Sequence, residues 1–146
     1  MIGESMTLGF DGGTLTADLG LPERARGIVV FAQRVGRTSV QNSANASALM
    51  AKGLGVLVFD LLTTEEATGD APRGALRFDI GFLGRRLVSA LDCIRRDPRL
   101  RILPLALLGS GTGAAAALVA AADRSQYVGA VVCRGGRPDL AMPVLR

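Results

Sequence analysis

The chain has 146 residues, a length suited to one domain that removes roughly 70% of its unfolded surface from water. Apolar residues make up 49% and charged residues 21%, a balance that excludes an intrinsically disordered chain. The net charge of +4 comes from 16 arginines and one lysine, scattered singly or in pairs such as Arg85/Arg86 and Arg95/Arg96; with one Tyr and five Phe, this argues against a basic stripe with stacking rings and hence against nucleic acid as a partner.

In chain order, "MTLGF" and "LTADLGLP" flank Asp11-Gly12-Gly13 and predict a β-hairpin, because these turn residues supply the positive φ that tight hairpins need. The β-branched run "GIVVFA" at 27–32 predicts a strand buried on both faces, followed by the polar loop "QRVGRTSVQNS". Residues 43–52, "SANASALMAK", predict a helix stopped by Gly53, and "GVLVFDLL" the next buried strand. A loop, "TTEEATGDAPRG", comes next. From Ala75 to Arg96 the residues Phe78, Phe82, Leu83, Leu87, Ala90, Leu91 and Ile94 form one apolar helical stripe, closed by Pro98. A strand at 104–108, a helix at about 112–123 and a strand at 127–133 complete the pattern, and the last thirteen residues are too few for another strand–helix unit. The expected architecture is a single α/β domain over 1–146: an N-terminal hairpin and a mostly parallel sheet with helices on both faces.

Histidine is absent, which removes the side chain that most readily exchanges protons near neutral pH and the commonest zinc ligand. The longest apolar run, Ala114 to Ala122, is about half of the ~20 residues a membrane span requires, and the N-terminus lacks a basic-then-apolar signal pattern, so no membrane association and a cytoplasmic location are expected. Cys93 and Cys133 are accordingly expected as two buried thiols. An alternative reading gives Cys133 a lowered pKa beside Arg134. Ser39, Ser43 and Ser47 read as loop and helix-start residues.

The segments "GIVVFAQRVGRTSVQN", "VLVFDLLTTEE", "LRFDIGFLGRRLVSALD", "LGSGTGAAAALVAAA" and "AVVCRGGRPDLA" together resemble the dienelactone-hydrolase-like branch of the α/β-hydrolase superfamily, from about residue 6 to the C-terminus. The resemblance implies a shortened α/β-hydrolase fold matching the front portion of a complete member. It also implies that Gly109-Ser110-Gly111-Thr112-Gly113 is the nucleophile elbow G-x-S-x-G, with glycine where the nucleophile belongs. Glycine has nothing to attack with. The family's acid and histidine follow later strands, beyond the point where this chain stops, and the usual His-Gly after the strand at 27–32 is replaced by Gln33-Arg34.

What the resemblance leaves is an anion hole made of main-chain N–H groups, one from Thr112 after Gly111 and one from around Gln33 or Arg34, backed by the dipole of the helix at 112–123. Arg34, Arg37, Arg134 and Arg137 are expected on the same rim. The expected function is therefore a degenerate hydrolase-like domain acting as a dimeric binding or scaffold protein, which takes a small anionic or ester ligand without a cofactor. A second possibility is a small promiscuous hydrolase of activated esters or phosphoesters using Ser110, Cys133, or a metal held by Asp60, Glu65, Glu66 and Asp70. The match of Gly109-x-Gly111-x-x-Ala114 to a dinucleotide fingerprint is weaker: the turn falls in the third strand–helix unit, and the next strand ends in Cys133-Arg134 rather than an acid. A last strand with an uncovered apolar edge predicts a two-fold homodimer.

Overall fold

The structure, a computed structural model, describes residues 3–33, 36–70 and 74–144. Strand β1 (Glu4–Phe10) turns through Gly12, at φ +99°, into antiparallel β2 (Gly13–Gly20), the expected hairpin. Strands β3 (Ile28–Ala32), β4 (Gly55–Phe59), β5 (Leu105–Ser110) and β6 (Val128–Arg134) run parallel to one another, and the six strands are ordered β1-β2-β4-β3-β5-β6. Helix α1 (Val40–Ala51) carries the chain from β3 to β4. Helices α2 (Thr64–Asp70) and α3 (Ile80–Arg96) carry it back past β3 to β5, and α4 (Thr112–Asp123) on to β6. The sheet grows first to one side of β3 and then to the other. The carboxyl end of β3 is therefore the switch point beside which ligands sit in open parallel sheets.

Two apolar layers hold the helices on opposite faces. On one, Phe31, Val56 and Val58 pack with Ala46 of α1. On the other, Val30, Ala32, Leu57, Phe59 and Leu107 meet Leu83, Leu87, Leu91 and Ile94 of α3 and Ala116, Ala117 and Ala120 of α4. The alanines of α4 let its backbone lie close to the sheet, and Gly84 of α3 admits Val119, whose Cγ1 would be 2.9 Å from any Cβ placed at 84. Among the described residues no helix is long and apolar enough to cross a membrane.

Three elements depart most from expectation. Helix α1 begins at Val40 rather than 43, because the Ser39 hydroxyl accepts from Asn42 N at 3.1 Å and caps it. The loop expected after β4 contains α2, nucleated by a capping box: Thr63 Oγ1 accepts from Glu66 N (3.1 Å) while Glu66 Oε2 accepts from Thr63 N (2.9 Å). The long helix starts at Ile80, since Asp79 Oδ1 accepts from Phe82 N at 3.0 Å. Ahead of it, Leu76–Phe78 forms a separate 3₁₀ turn that leaves Phe78 58% exposed instead of on the apolar stripe.

Candidate functional site

Strand β5 ends in a sharp turn whose three glycines do different work. A Cβ at Gly109 would lie 2.6 Å from Ala114 Cα, and one at Gly113 would overlap the Ala32 carbonyl oxygen and reach 2.9 Å from Gln33 Cα, so both are required by the close approach of α4 to β5 and β3. Gly111 is different. It sits at φ +59°, ψ −137° with nothing within 4 Å of a Cβ position. A side chain there would be strained in backbone but would project into open space, the geometry that presents a nucleophile above a sheet.

Thr112, half-buried, is the first residue of α4, so its N–H has no partner within the helix. The contact of Gly113 with Ala32 and Gln33 joins the two backbone segments from which the N–H donors are expected. Ser110 and Gly111 are exposed at the mouth. Arg34 lies outside the described residues.

The Gln33 side chain does not turn to this mouth. Only 5% exposed, it heads toward α1, where Oε1 accepts from Asn42 Nδ2 (2.6 Å); among the described residues Nε2 has no close hydrogen-bond partner, although the side chain also favours the charged form of Asp60. Its neighbours form a polar cluster that sequence reading missed. Arg37 donates through its side chain to Asp18 (2.8 Å) and through its backbone N to Asp60 Oδ1 (2.7 Å), and Asn42 Nδ2 also donates to the Gly36 carbonyl. The partners come from segments far apart in sequence, so spacing could not reveal them. Burial raises the Asp60 pKa, opposed by the Arg37 N–H and charge.

Of the four acidic residues expected to share a metal, Glu65 is exposed on α2 and the other three have separate partners. Asp60 serves the loop at Arg37, Glu66 pairs bidentately with Arg86 (2.8 and 3.0 Å), and Asp70 Oδ1 accepts from Leu76 N (2.6 Å). Among the described residues no three His, Cys, Asp or Glu side chains gather where a metal could bind. Two expected rim arginines are also engaged, Arg37 with Asp18 and Arg137 with Asp139, while Arg134 is exposed. Both cysteines are free, but the expectation of burial fails: Cys93 is half-buried on α3, and Cys133 is exposed because β6 lies at the sheet edge, its Sγ 4.0 Å from the Ala114 carbonyl oxygen.

The residues after β6 lie against the turn. A Cβ at Gly136 would fall 2.6 Å from Gly111 N and 2.9 Å from Gly111 Cα, and Arg137 N donates to the Gly111 carbonyl at 3.1 Å. Arg137 was expected on this rim, but the approach of its backbone and of Gly136 to Gly111 was not legible in the sequence.

No family model matches the chain. A dienelactone hydrolase from Anabaena variabilis superposes with a TM-score of 0.92 at 43% identity, over 97% of this chain and 67% of that one. A dienelactone hydrolase-like promiscuous phosphotriesterase from metagenomic libraries shares the fold at a TM-score of 0.72 and 20% identity, over 91% of this chain and 59% of that one. A Mycobacterium tuberculosis protein with the provisional name phosphoribosyl transferase is 47% identical over 125 residues, 84% of this chain and 27% of its own length, as is its counterpart in a second strain. The chain thus spans about a quarter of the length of the curated relatives it matches.

Proposed function

Because the chain belongs to the dienelactone hydrolase family of α/β-hydrolases, we propose that it is a member whose elbow binds an anion instead of attacking an ester. The observation that carries this reading is glycine at 111, in elbow conformation and facing open space. Position 111 lies within the chain, so the missing nucleophile does not depend on what longer relatives hold elsewhere. A hydrolase elbow without its side chain still presents the Thr112 N–H at the positive end of a 12-residue helix, and neither donor nor dipole needs the lost group.

The ligand class that fits is a small carboxylate or phosphate. The phosphoribosyl transferase name carried by the Mycobacterium tuberculosis relatives favours phosphate, so ribose 5-phosphate is the first probe and acetate the second. The test is an amide-resolved NMR titration with both anions, beside a chromogenic ester and phosphotriester panel run with and without chelator. Saturable shifts at Thr112 and Gly113 with no turnover above buffer are expected. Flat amide shifts overturn the reading.

A second reading keeps an enzyme, because exposed Cys133 lies on the same rim as the elbow and exposed Ser110 immediately precedes its apex. Turnover abolished by Ser110→Ala or Cys133→Ala would favour it; loss on Asp60→Asn with chelator sensitivity would favour the metal version. Weak turnover untouched by these changes would not, since an oxyanion hole and binding alone can leave ~10³-fold acceleration. We also propose a second copy of the chain as partner, paired along β6.

A further inference from the structure

Resting on the reading of the elbow as an anion site, we propose that Gly136 and Arg137 form the clamp that holds the elbow peptide in its donor orientation, through the Gly136 backbone and the Arg137 N–H. A trans peptide points its C=O and N–H in opposite directions. The Gly111 carbonyl is held from two sides, by Ala114 N at 3.2 Å and by Arg137 N at 3.1 Å. With that oxygen fixed, the N–H of the same peptide, on Thr112, is turned the other way, into the mouth.

Glycine at 111 makes an external clamp necessary. No side chain restricts its dihedral angles, so the Gly111–Thr112 peptide is free to rotate wherever neighbouring atoms allow it. The neighbouring atoms belong to Gly136, which lies on the backbone of Gly111 so closely that any Cβ would collide with its N and Cα at 2.6 and 2.9 Å. The loop is anchored from behind. Pro138–Val144 forms a 3₁₀ segment that buries Ala141, and Arg137 pairs with Asp139 (Nε–Oδ1 and a terminal guanidinium nitrogen to Oδ2, both 3.0 Å), which holds its side chain to its own loop.

The loop supplies its own control. Gly135 and Gly136 both have positive φ, +62° and +86°, so alanine at either incurs the same kind of backbone strain, but a Cβ at 135 meets nothing within 4 Å. Gly135→Ala tests strain alone, and Gly136→Ala tests strain plus displacement of the elbow. In the ligand-free protein, G136A is expected to move the Gly111 and Thr112 amide resonances while G135A leaves them in place. In the titration with ribose 5-phosphate, G136A is expected to weaken the Thr112 response at least tenfold and G135A to stay within twofold of the unaltered protein.

Equal behaviour of the two variants overturns the clamp. If the unaltered protein gives no Thr112 response to the anion, the binding reading fails, whereas the ligand-free comparison still decides the clamp. Should G136A not fold, hydrogen exchange in the unaltered chain decides it. The Arg137 amide should be protected as strongly as that of Ala114, and exchange as fast as in an open loop would overturn the proposal.

Discussion

At position 111 only the backbone conformation favours glycine, whereas at 109 and 113 the neighbouring atoms require it. Gly111→Ala should therefore cost about 1–2 kcal/mol, the strain of an L-residue in a sparsely populated region. Gly113→Ala, whose Cβ overlaps the Ala32 carbonyl, should cost about 3 kcal/mol or more because backbone must move. Urea denaturation of the variants ranks them; G111A as the most damaging would contradict open space at the apex. Asp60 gives a pH signature. Its folded pKa is raised by burial, so the native state holds the proton more tightly than the unfolded chain, and the group's contribution to stability falls as pH rises from 3.8 through its folded pKa. Asp60→Asn retains an oxygen for the Arg37 N–H, so at pH 7 it should unfold no earlier than the unaltered protein and should flatten that part of the pH–stability curve. A clear loss at pH 7 would mean that the charge stabilises the loop.

The elements were legible where one signal dominated. The β-branched run of β3 and the Gly-rich entry to α4 give their elements within a residue or two, because burial on both faces and close backbone approach each demand particular residue types. Helix α2 was hidden, although Thr63-Thr64-Glu65-Glu66 carries the capping-box pattern, because an acidic stretch without an apolar face resembles a solvated loop. The partner that explains Glu66 is twenty positions away. Arg86, 6% exposed, donates to both Glu66 oxygens and to the Leu61 carbonyl and stacks over Phe10 at 3.7 Å. Glu66→Ala removes cap and counter-ion together and should cost about 3 kcal/mol, as for breaking a buried pair. Glu66→Gln keeps a capping oxygen and should cost less. Hydrogen bonding to Arg86 lowers the Glu66 pKa, so its contribution is complete above 4.5 and is lost as pH falls through the folded value. Thermal melts of both variants from pH 3 to pH 7 check this: an E66A deficit as large at the acid end as at neutrality would refute the ion pair.

For the molecule as a whole, the proposed dimer turns on the side of β6 that has no strand beside it among the described residues. Natural sheets guard an edge with charge, proline or a covering element. From Val128 to Cys133 this strand has no charged residue and no proline, and Val132 is 55% exposed. The face of the sheet that α1 covers over Phe31, Val56 and Val58 is open further along, where Ala130 and Val132 are exposed. The second copy proposed above would suit this surface. Antiparallel pairing about a two-fold axis joins identical uncharged strands, brings no like charges together along Val128–Cys133, and satisfies both rows of free N–H and C=O groups. Sedimentation at micromolar concentration should then give twice the 15.1 kDa chain mass. Val132→Lys, which sets two ammonium groups near the axis without touching the core, should weaken the dimer at least tenfold while the melting temperature at fixed low concentration stays within a few degrees. A monodisperse monomer for the unaltered protein would show that β6 does not recruit its own copy, and an unchanged dimer in V132K would place the interface elsewhere.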